Sequence, residues 1–316
     1  MDFCSVTVWF NPDDLCVQNI LSYRALCKKC FIVDNSSGDN SALAAKIPNA
    51  VYIPNGGNLG IAAALNAGCR RAAEEGFLAC MTMDQDSSWD AARLKEYFDI
   101  CEKSFSDTAV SFCPSAAYAA PTSLLGDAKR FLRRAIKGRG GAPAAASTDS
   151  RTSTDSRAST DSGSPTVTAA SAGKTKMPCC ITSGNVILLS AWQKVGGFYE
   201  PFFIDEVDHE FCFRLNEAGY EIFKFDSCLM NHVLGKPKKT FYPCVSHHSG
   251  PRLYYIFRNA FFLKKMHPAF YKRQNYSKQI RQRVAGLLFN CKISQLRYLL
   301  RAWLDFKRGK LGPLGK

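Results

Sequence analysis

The sequence has no run of about 18 apolar residues in its 316 positions, which argues against a membrane-spanning helix. Its first residues, Met1-Asp2-Phe3-Cys4, lack a basic leader and a long apolar core, so no secretory signal is expected. No second C-x-x-C pair accompanies Cys27-Lys28-Lys29-Cys30, because Cys179-Cys180 has the wrong spacing, and this disfavours a zinc ribbon. The 14 cysteines are scattered, and several lie inside apolar runs, as at Cys30, Cys80 and Cys113; they read as reduced, buried thiols. G-x-G-x-x-G is missing as well. Asn55-Gly56-Gly57-Asn58-Leu59-Gly60 does not fit that pattern and has no acid at the usual ribose distance, which disfavours a dinucleotide-binding dehydrogenase. Acids are nearly absent from the C-terminal stretch, where twelve cations from Lys272 onward accompany a single acid, Asp305.

What is present is a chain that is 46% hydrophobic and carries a formal net charge of +14. The length supports one large domain or two small ones, and the charge points to anionic partners. Short β-branched or aromatic runs at Val6–Phe10, Phe31–Val33, Val51–Ile53 and Phe77–Met83 alternate with an Ala-rich helical stretch at Ile61–Glu75. This alternation predicts an α/β fold, a mostly parallel sheet flanked by helices. Ligands of such sheets bind at the carboxyl ends of the strands, and Asp34 and Asp84 both fall at such ends.

From Gly138 to about Lys176 the composition changes, and a hexamer repeats as STDSRT, STDSRA and STDSGS over residues 147–164. So little apolar surface cannot offset ordering entropy, so residues 138–176 are expected to be a disordered insertion. Patterning resumes with a strand at Asn185–Leu189, a turn at Gly196-Gly197-Phe198, a helix at Asp205–Ala218 and a strand at Ile222–Phe225, with His232 beyond it. After Pro251 the chain reads as helical and basic. Leu287, Leu288, Leu296, Leu299, Leu300, Trp303 and Leu304 interleave with the cations, as in a helix lying on an anionic bilayer.

Asp84-Gln85-Asp86 follows a buried strand, and two carboxylates one residue apart suit a hard divalent cation that bridges a diphosphate. A solvated turn is the plain alternative. Asp34 at its strand end suits a pyrimidine imide N–H, with an Asx turn or helix cap as the simpler account. Phe203-Ile204-Asp205-Glu206-Val207-Asp208-His209-Glu210 clusters acids that suit either a general base or a helix N-terminus. His232 suits a third metal ligand or a structural role.

In sequence order, Val33-Asp34-Asn35-Ser36-Ser37, Asn58-Leu59-Gly60-Ile61-Ala62 with Leu65-Asn66, Met83-Asp84-Gln85-Asp86-Ser87, Thr182-Ser183-Gly184-Asn185, Phe203 through Asp208, and Arg252-Leu253-Tyr254-Tyr255 with Arg258-Asn259 resemble the inverting family 2 glycosyltransferases of the GT-A (Rossmann-like) fold. Among these, the likeness is greatest to bacterial rhamnosyltransferases that use dTDP-L-rhamnose. The resemblance covers roughly residues 3–137 and 177–265.

It implies a nucleotide-sugar-binding half at 1–137 and an acceptor-binding half at 177–250; the disordered insertion at 138–176 is foreign to the family pattern, and the basic helical region at 251–316 is read from composition. It implies donor contacts at Phe10, Asp34, Asn35, Asn58, Gly60, Asp84 and Gln85, and acceptor contacts at Ser183, Gly184, Asn185 and Arg258. Mg²⁺ or Mn²⁺ would be held by Asp84, Asp86 and His232. Asp208 would be the base, with Asp205 as its rival, because Val207 stands where the commoner pattern has Glu. The implied activity is transfer of a sugar, L-rhamnose by preference, to a lipid-linked or polysaccharide acceptor in cell-surface polysaccharide synthesis. A cytoplasmic enzyme peripheral to the inner face of the membrane is expected. The alternatives are a UDP-hexose or UDP-galactofuranose donor, or a basic nucleic-acid-binding protein. No zinc finger, RNP or helix-turn-helix pattern supports the last, and no nucleic-acid partner is expected.

Overall fold

A computed structural model of the chain describes residues 1–116, 173–232 and 248–315. Its centre is strand β1 (Phe3–Trp9), buried along its whole length. Successive side chains of a strand face opposite ways. Cys4, Val6 and Val8 face one apolar cluster, and Phe3 and Trp9 face the other. Burial on both faces requires a layer of helices on each side. Helix α1 (Asp14–Arg24) and α4 (Ala91–Ser104) cover the Trp9 side, through Ile20, Tyr23, Leu94 and Tyr97. Helix α3 (Ile61–Glu74) covers the Val6 side with Ala62, Leu65, Cys69 and Ala72. A short helix α2 (Ser41–Ala44) lies between.

Strands β2 (Lys29–Asp34) and β4 (Ala79–Asp84) pair parallel to β1 on either side, and β3 (Ala50–Pro54) pairs parallel to β2. The register sets Trp9 beside Asp34 and Val8 beside Asp84. The two acids thus stand at the carboxyl ends of strands separated only by β1. Beyond β4 the sheet becomes mixed. β8 (Asn185–Leu188) is antiparallel to both β4 and β6 (Ala109–Ala116), and β9 (Glu221–His232) is parallel to β6. β5 (Ser87–Ser88) and β7 (Lys174–Met177) pair antiparallel with β9.

Three expectations are revised. The expected insertion lies outside the described residues up to 172, but Lys174–Lys176 belong to β7, where Lys176 pairs with Glu221 at 2.6 Å. β9 does not stop near Phe225; it runs to His232, which is its last residue and lies opposite Ser87. The helix expected from Asp205 starts two residues later, as α6 (Val207–Glu217), after α5 (Leu189–Lys194) and a turn at Glu200–Phe202. Asp205 and Glu206 have φ of 61° and 62° and lie outside the helix, so Asp205 and Asp208 do not share a helical face.

The C-terminal region forms α7 (Gly250–Met266), α8 (Pro268–Arg273), α9 (Tyr276–Phe289) and α10 (Leu296–Lys307). It is not a detached tail. Leu287 and Ala302 bury against Leu253, Tyr254 and Phe257 of α7. Asp305, the only acid of this stretch, accepts a 2.8 Å hydrogen bond from the Tyr254 hydroxyl inside the protein.

Gly68 sets how closely α3 can approach the sheet, since a Cβ there would run into Val6 Cγ1 and meet Val33 Cγ2 at 3.1 Å. Within a helix, alanine is ordinarily favoured over glycine by about 1 kcal/mol. Here the wall of β1 and β2 reverses the preference, and Gly68→Ala is expected to destabilise the fold by about 1–3 kcal/mol. A urea midpoint at or above that of the wild type would show that α3 can lift from β1 at no cost.

Candidate active site

Asp84 ends β4 with its carboxylate partly covered, while Asp86 two residues on is exposed. Burial, and then the charges of Asp86 and Asp208, push the Asp84 carboxyl up to about 7, with Arg252 pulling the other way. Three acids and one guanidinium are thus close enough to sense one another. Beneath them, the Asp84 N–H donates to Ser183 Oγ at 3.3 Å, and the Ser183 hydroxyl donates to Ser87 Oγ at 2.7 Å.

Ser183, Gly184 and Asn185 are framework rather than an acceptor-facing surface. Ser183 and Asn185 are buried, and Asn185 Oδ1 accepts from Ser111 at 2.8 Å. Gly184 donates its N–H to Thr82 O at 2.8 Å, and a Cβ on it would meet Pro114 at 2.8 Å. Gln85 ties the exits of two strands together. Its Oε1 accepts from the Phe10 N–H at 2.7 Å, and its carbonyl accepts from Asn19 Nδ2 at 2.8 Å. The Phe10 ring itself stands exposed at the rim.

On the other side of β1, Asp34 is buried with both oxygens engaged. Oδ1 accepts from the Ser36 N–H at 2.8 Å, an Asx turn, and Oδ2 accepts from Asn40 and from the Tyr52 hydroxyl, each at 2.7 Å. Burial alone would raise this carboxyl; the bonds from Ser36, Asn40 and Tyr52 outweigh it and hold the group below its ordinary value. Asn35 latches the glycine-rich loop, donating to Gly60 O at 3.0 Å and accepting from Asn55 at 2.8 Å. Asn58 Oδ1 takes the Gly60 N–H at 2.9 Å. Gly60 has φ of 92°, and a Cβ there would lie 2.6 Å from the Phe203 carbonyl. That carbonyl accepts the Ile61 N–H at the start of α3, at 2.7 Å. The glycine-rich loop and the loop before α6 therefore touch.

The loop before α6 is held from below by α7. Asn259 Nδ2 donates to the carbonyls of Phe202, Ile204 and Asp205 at 3.1, 2.8 and 2.8 Å. Arg258, expected to touch the acceptor, is fully buried instead; its guanidinium donates to Gly312 O at 2.5 Å, Phe202 O at 3.0 Å and Asn259 Oδ1. One helix face above Asn259, Arg252 clasps Asp205 at 3.1 Å. Burial pushes the Asp205 carboxyl up to about 6 despite this pairing. Burial also raises Asp208, against the pull of His209. Arg252 and Asn259 carry roles that motif reading missed. Their spacing of seven, two helical turns on one face, was the available signal.

Among the described residues no three His, Cys, Asp or Glu side chains converge on a point that could hold a metal ion. The His232 side chain lies outside the described residues; its backbone pairs with Ser87, the residue after Asp86. Asp84 and Asp86, hard oxygen donors that repel each other, do fit a Mg²⁺ or Mn²⁺ ion that takes its other ligands from a diphosphate and water.

A carboxyl whose folded-state value lies above its unfolded one contributes stability at low pH and loses it as pH rises through the folded value. For Asp84 that window runs from its ordinary 3.8 up to about 7. In metal-free buffer Asp84→Asn is expected to raise unfolding free energy by roughly 1–3 kcal/mol near pH 8 and hardly at all near pH 4. The same effect at both pH values would remove the charge crowding from this account.

Residues 14–120 match the family model of glycosyl transferase family 2. Over 264 residues the chain is 28% identical to a dTDP-rhamnosyl transferase, RfbF, of Shigella flexneri, covering 82% of this chain and 78% of that protein. A structure of GalNAc-T7 with UDP, GalNAc and Mn²⁺ superposes with a TM-score of 0.51 at 11% identity over 83% of this chain, which spans 50% of that one. A fragment of S. aureus TarS in complex with UDP-GlcNAc superposes with a TM-score of 0.54 at 13% identity, covering 97% of this chain and 80% of the fragment. At these identities the structural likeness speaks for the fold. The match to glycosyl transferase family 2 thus falls on the part of the chain that bears Asp34 and Asp84 at its strand ends, and the fold is of the GT-A kind.

Proposed function

We propose that the chain transfers L-rhamnose from dTDP-L-rhamnose to a lipid-linked or polysaccharide acceptor, with inversion at the anomeric carbon, in cell-surface polysaccharide synthesis. The observation that carries this reading is that Asp84, at the carboxyl end of its strand, lies within electrostatic reach of Asp86, Asp208 and Arg252. The rhamnosyl donor is taken from the Shigella flexneri relative, described as a dTDP-rhamnosyl transferase.

In this reading the thymine lies against Asp34 and Asn35, the donor crosses Phe10, Asn58 and Gly60, and Asp84 and Gln85 meet the diphosphate and sugar. Asp84 and Asp86, with His232 as a candidate third ligand, would hold Mg²⁺ or Mn²⁺, which would supply positive charge against the departing diphosphate. Asp208 takes the proton of the acceptor hydroxyl while the oxygen bonds to the anomeric carbon. The bond from that carbon to the phosphate oxygen breaks, and dTDP leaves on the opposite face. Arg252 occupies Asp205, which therefore orients rather than accepts the proton.

Asp208→Asn should lower kcat about 10²–10⁴-fold with little change in donor KM, the range for a lost general base. Asp205→Asn should cost far less. Turnover in a panel of dTDP- and UDP-sugars with Mn²⁺ should be highest with dTDP-L-rhamnose and should stop in EDTA. Preference for a UDP-hexose or UDP-galactofuranose overturns the donor assignment. Full activity of Asp208→Asn overturns the base.

Attachment to the inner membrane face belongs to the same proposal. Among the described residues no helix is long and apolar enough to cross a membrane. Leu288, Phe289, Ile293, Leu300 and Trp303 are nevertheless exposed on the C-terminal helices, amid exposed Arg297, Arg301 and Lys307. Each basic residue near an anionic surface is worth about 1 kcal/mol. Sedimentation with anionic vesicles should show binding that weakens with salt and falls in a Leu300→Ser, Trp303→Ser variant. Equal binding to neutral vesicles counts against it.

A further inference from the structure

His209 follows the base in sequence, in the first turn of α6. A cation there opposes the helix dipole, so something else must favour it. The surroundings supply the reason. His209 Nδ1 lies 2.9 Å from Glu206 Oε2 and 2.5 Å from the Tyr276 hydroxyl, and that hydroxyl donates to the same Glu206 oxygen at 2.7 Å. Nδ1 thus carries a proton, and the largely buried Glu206 carboxylate 2.9 Å away favours the charged ring over the neutral one. The backbone N–H of His209 donates to Asp208 Oδ1 at 2.9 Å.

Glu206 is the residue before α6 with φ of 62°, a conformation that turns its side chain into the protein, where only about a tenth of it is exposed. Tyr276 begins α9 and is buried, its ring stacked on Tyr271 with centroids 5.2 Å apart. The groups facing His209 are Glu206 and Asp208 on its own segment, Cys179 from the stretch before β8, and Tyr276 from α9; Arg283 of α9 acts on Glu206. Burial works against an imidazolium here, but Asp208, Cys179 and Glu206 outweigh it and hold the ring's proton well above the ordinary range. Its charge in turn pulls the Asp208 carboxyl down against burial.

We propose that His209, clamped between Glu206 and Tyr276, is a positioning residue that keeps a fixed positive charge beside Asp208 and so keeps that base ionised, which makes Tyr276 and the C-terminal extension part of the active site. The inference rests on Asp208 being the base. None of Glu206, His209 and Tyr276 enters the chemistry described above; each acts through Asp208.

The test is the pH profile of kcat for the full-length chain with donor and Mn²⁺. Removing a neighbouring opposite charge shifts a carboxyl by about 1–3 units. His209→Gln should therefore move the acid limb up by about one unit, leave donor KM within about twofold, and recover most of its activity near pH 9. Tyr276→Phe keeps the stacked ring and loses one oxygen; it should shift the limb the same way by less. His209→Lys, which keeps a cation, should return the limb toward its wild-type position. A uniform drop in kcat with an unmoved limb in both His209→Gln and Tyr276→Phe overturns the proposal and leaves the cluster a packing feature. If His209→Gln does not fold by circular dichroism, Tyr276→Phe and His209→Lys decide. An active Asp208→Asn would defeat the base assignment itself; an inactive Asp208→Asn with unmoved limbs defeats only the role of His209.

Discussion

The side-chain amide of Asn259 donates to three carbonyls of a segment in which Phe203, Asp205 and Glu206 all hold left-handed backbone conformations. Such conformations cost of order 1–3 kcal/mol per residue outside glycine and persist only where the surroundings impose them. Arg258 adds bonds to Phe202 and Gly312, Gly312 donates back to Pro201 at 2.8 Å, and the N-terminus of α3 takes the Phe203 carbonyl. Each such bond contributes about 1 kcal/mol net, so the strain is offset by several acting together. The consequence is directional. With its carbonyls engaged from below, the segment does not continue α6 backward, and its two acids part, Asp205 to Arg252 and Glu206 to Tyr276 and His209. The position of Asp205 against Arg252, and of Glu206 against Tyr276, follows from that one constraint.

Charge is divided along the chain in a way that matches this geometry. The outer faces of the C-terminal helices carry cations, while the acids crowd at the mouth of the sheet. Asp84, Asp205 and Asp208 are all displaced upward by burial, and Arg252 and His209 stand against them. Repulsion among crowded carboxylates is relieved by cations and by protons, which compete for the same oxygens.

Much of this was legible in the sequence. The β-branched and aromatic runs located β1, β2 and β4, and abrupt acidic ends marked Asp34 and Asp84 before any register was known. What failed has specific causes. Acids at a helix start and acids on a strained loop look alike in one dimension, which is why Asp205 was assigned to the helix. Motif residues at 183–185 and Arg258 were expected to face ligand, yet polar residues that frame a site are as distinctive in sequence as those that line it. The part played by Tyr276 depends on a fold-back of α9 onto α6 that no local pattern encodes. The basic helices were read as an amphipathic element on an anionic bilayer; that reading did not foresee that part of them buries on α7, with Asp305 turned inward to Tyr254.

The contact of Gly312 with Pro201 and Arg258 has a consequence in time. Synthesis runs from the N-terminal side, so β1–β4 have all their own pairing partners long before Gly312 emerges. The loop of Asp205 and Glu206, in contrast, lacks one of its holding points until Gly312 has left the exit tunnel. Nascent chains would therefore pass through a stage in which the sheet is folded and these acids are not yet set, which makes the ordering of this loop a late step of folding.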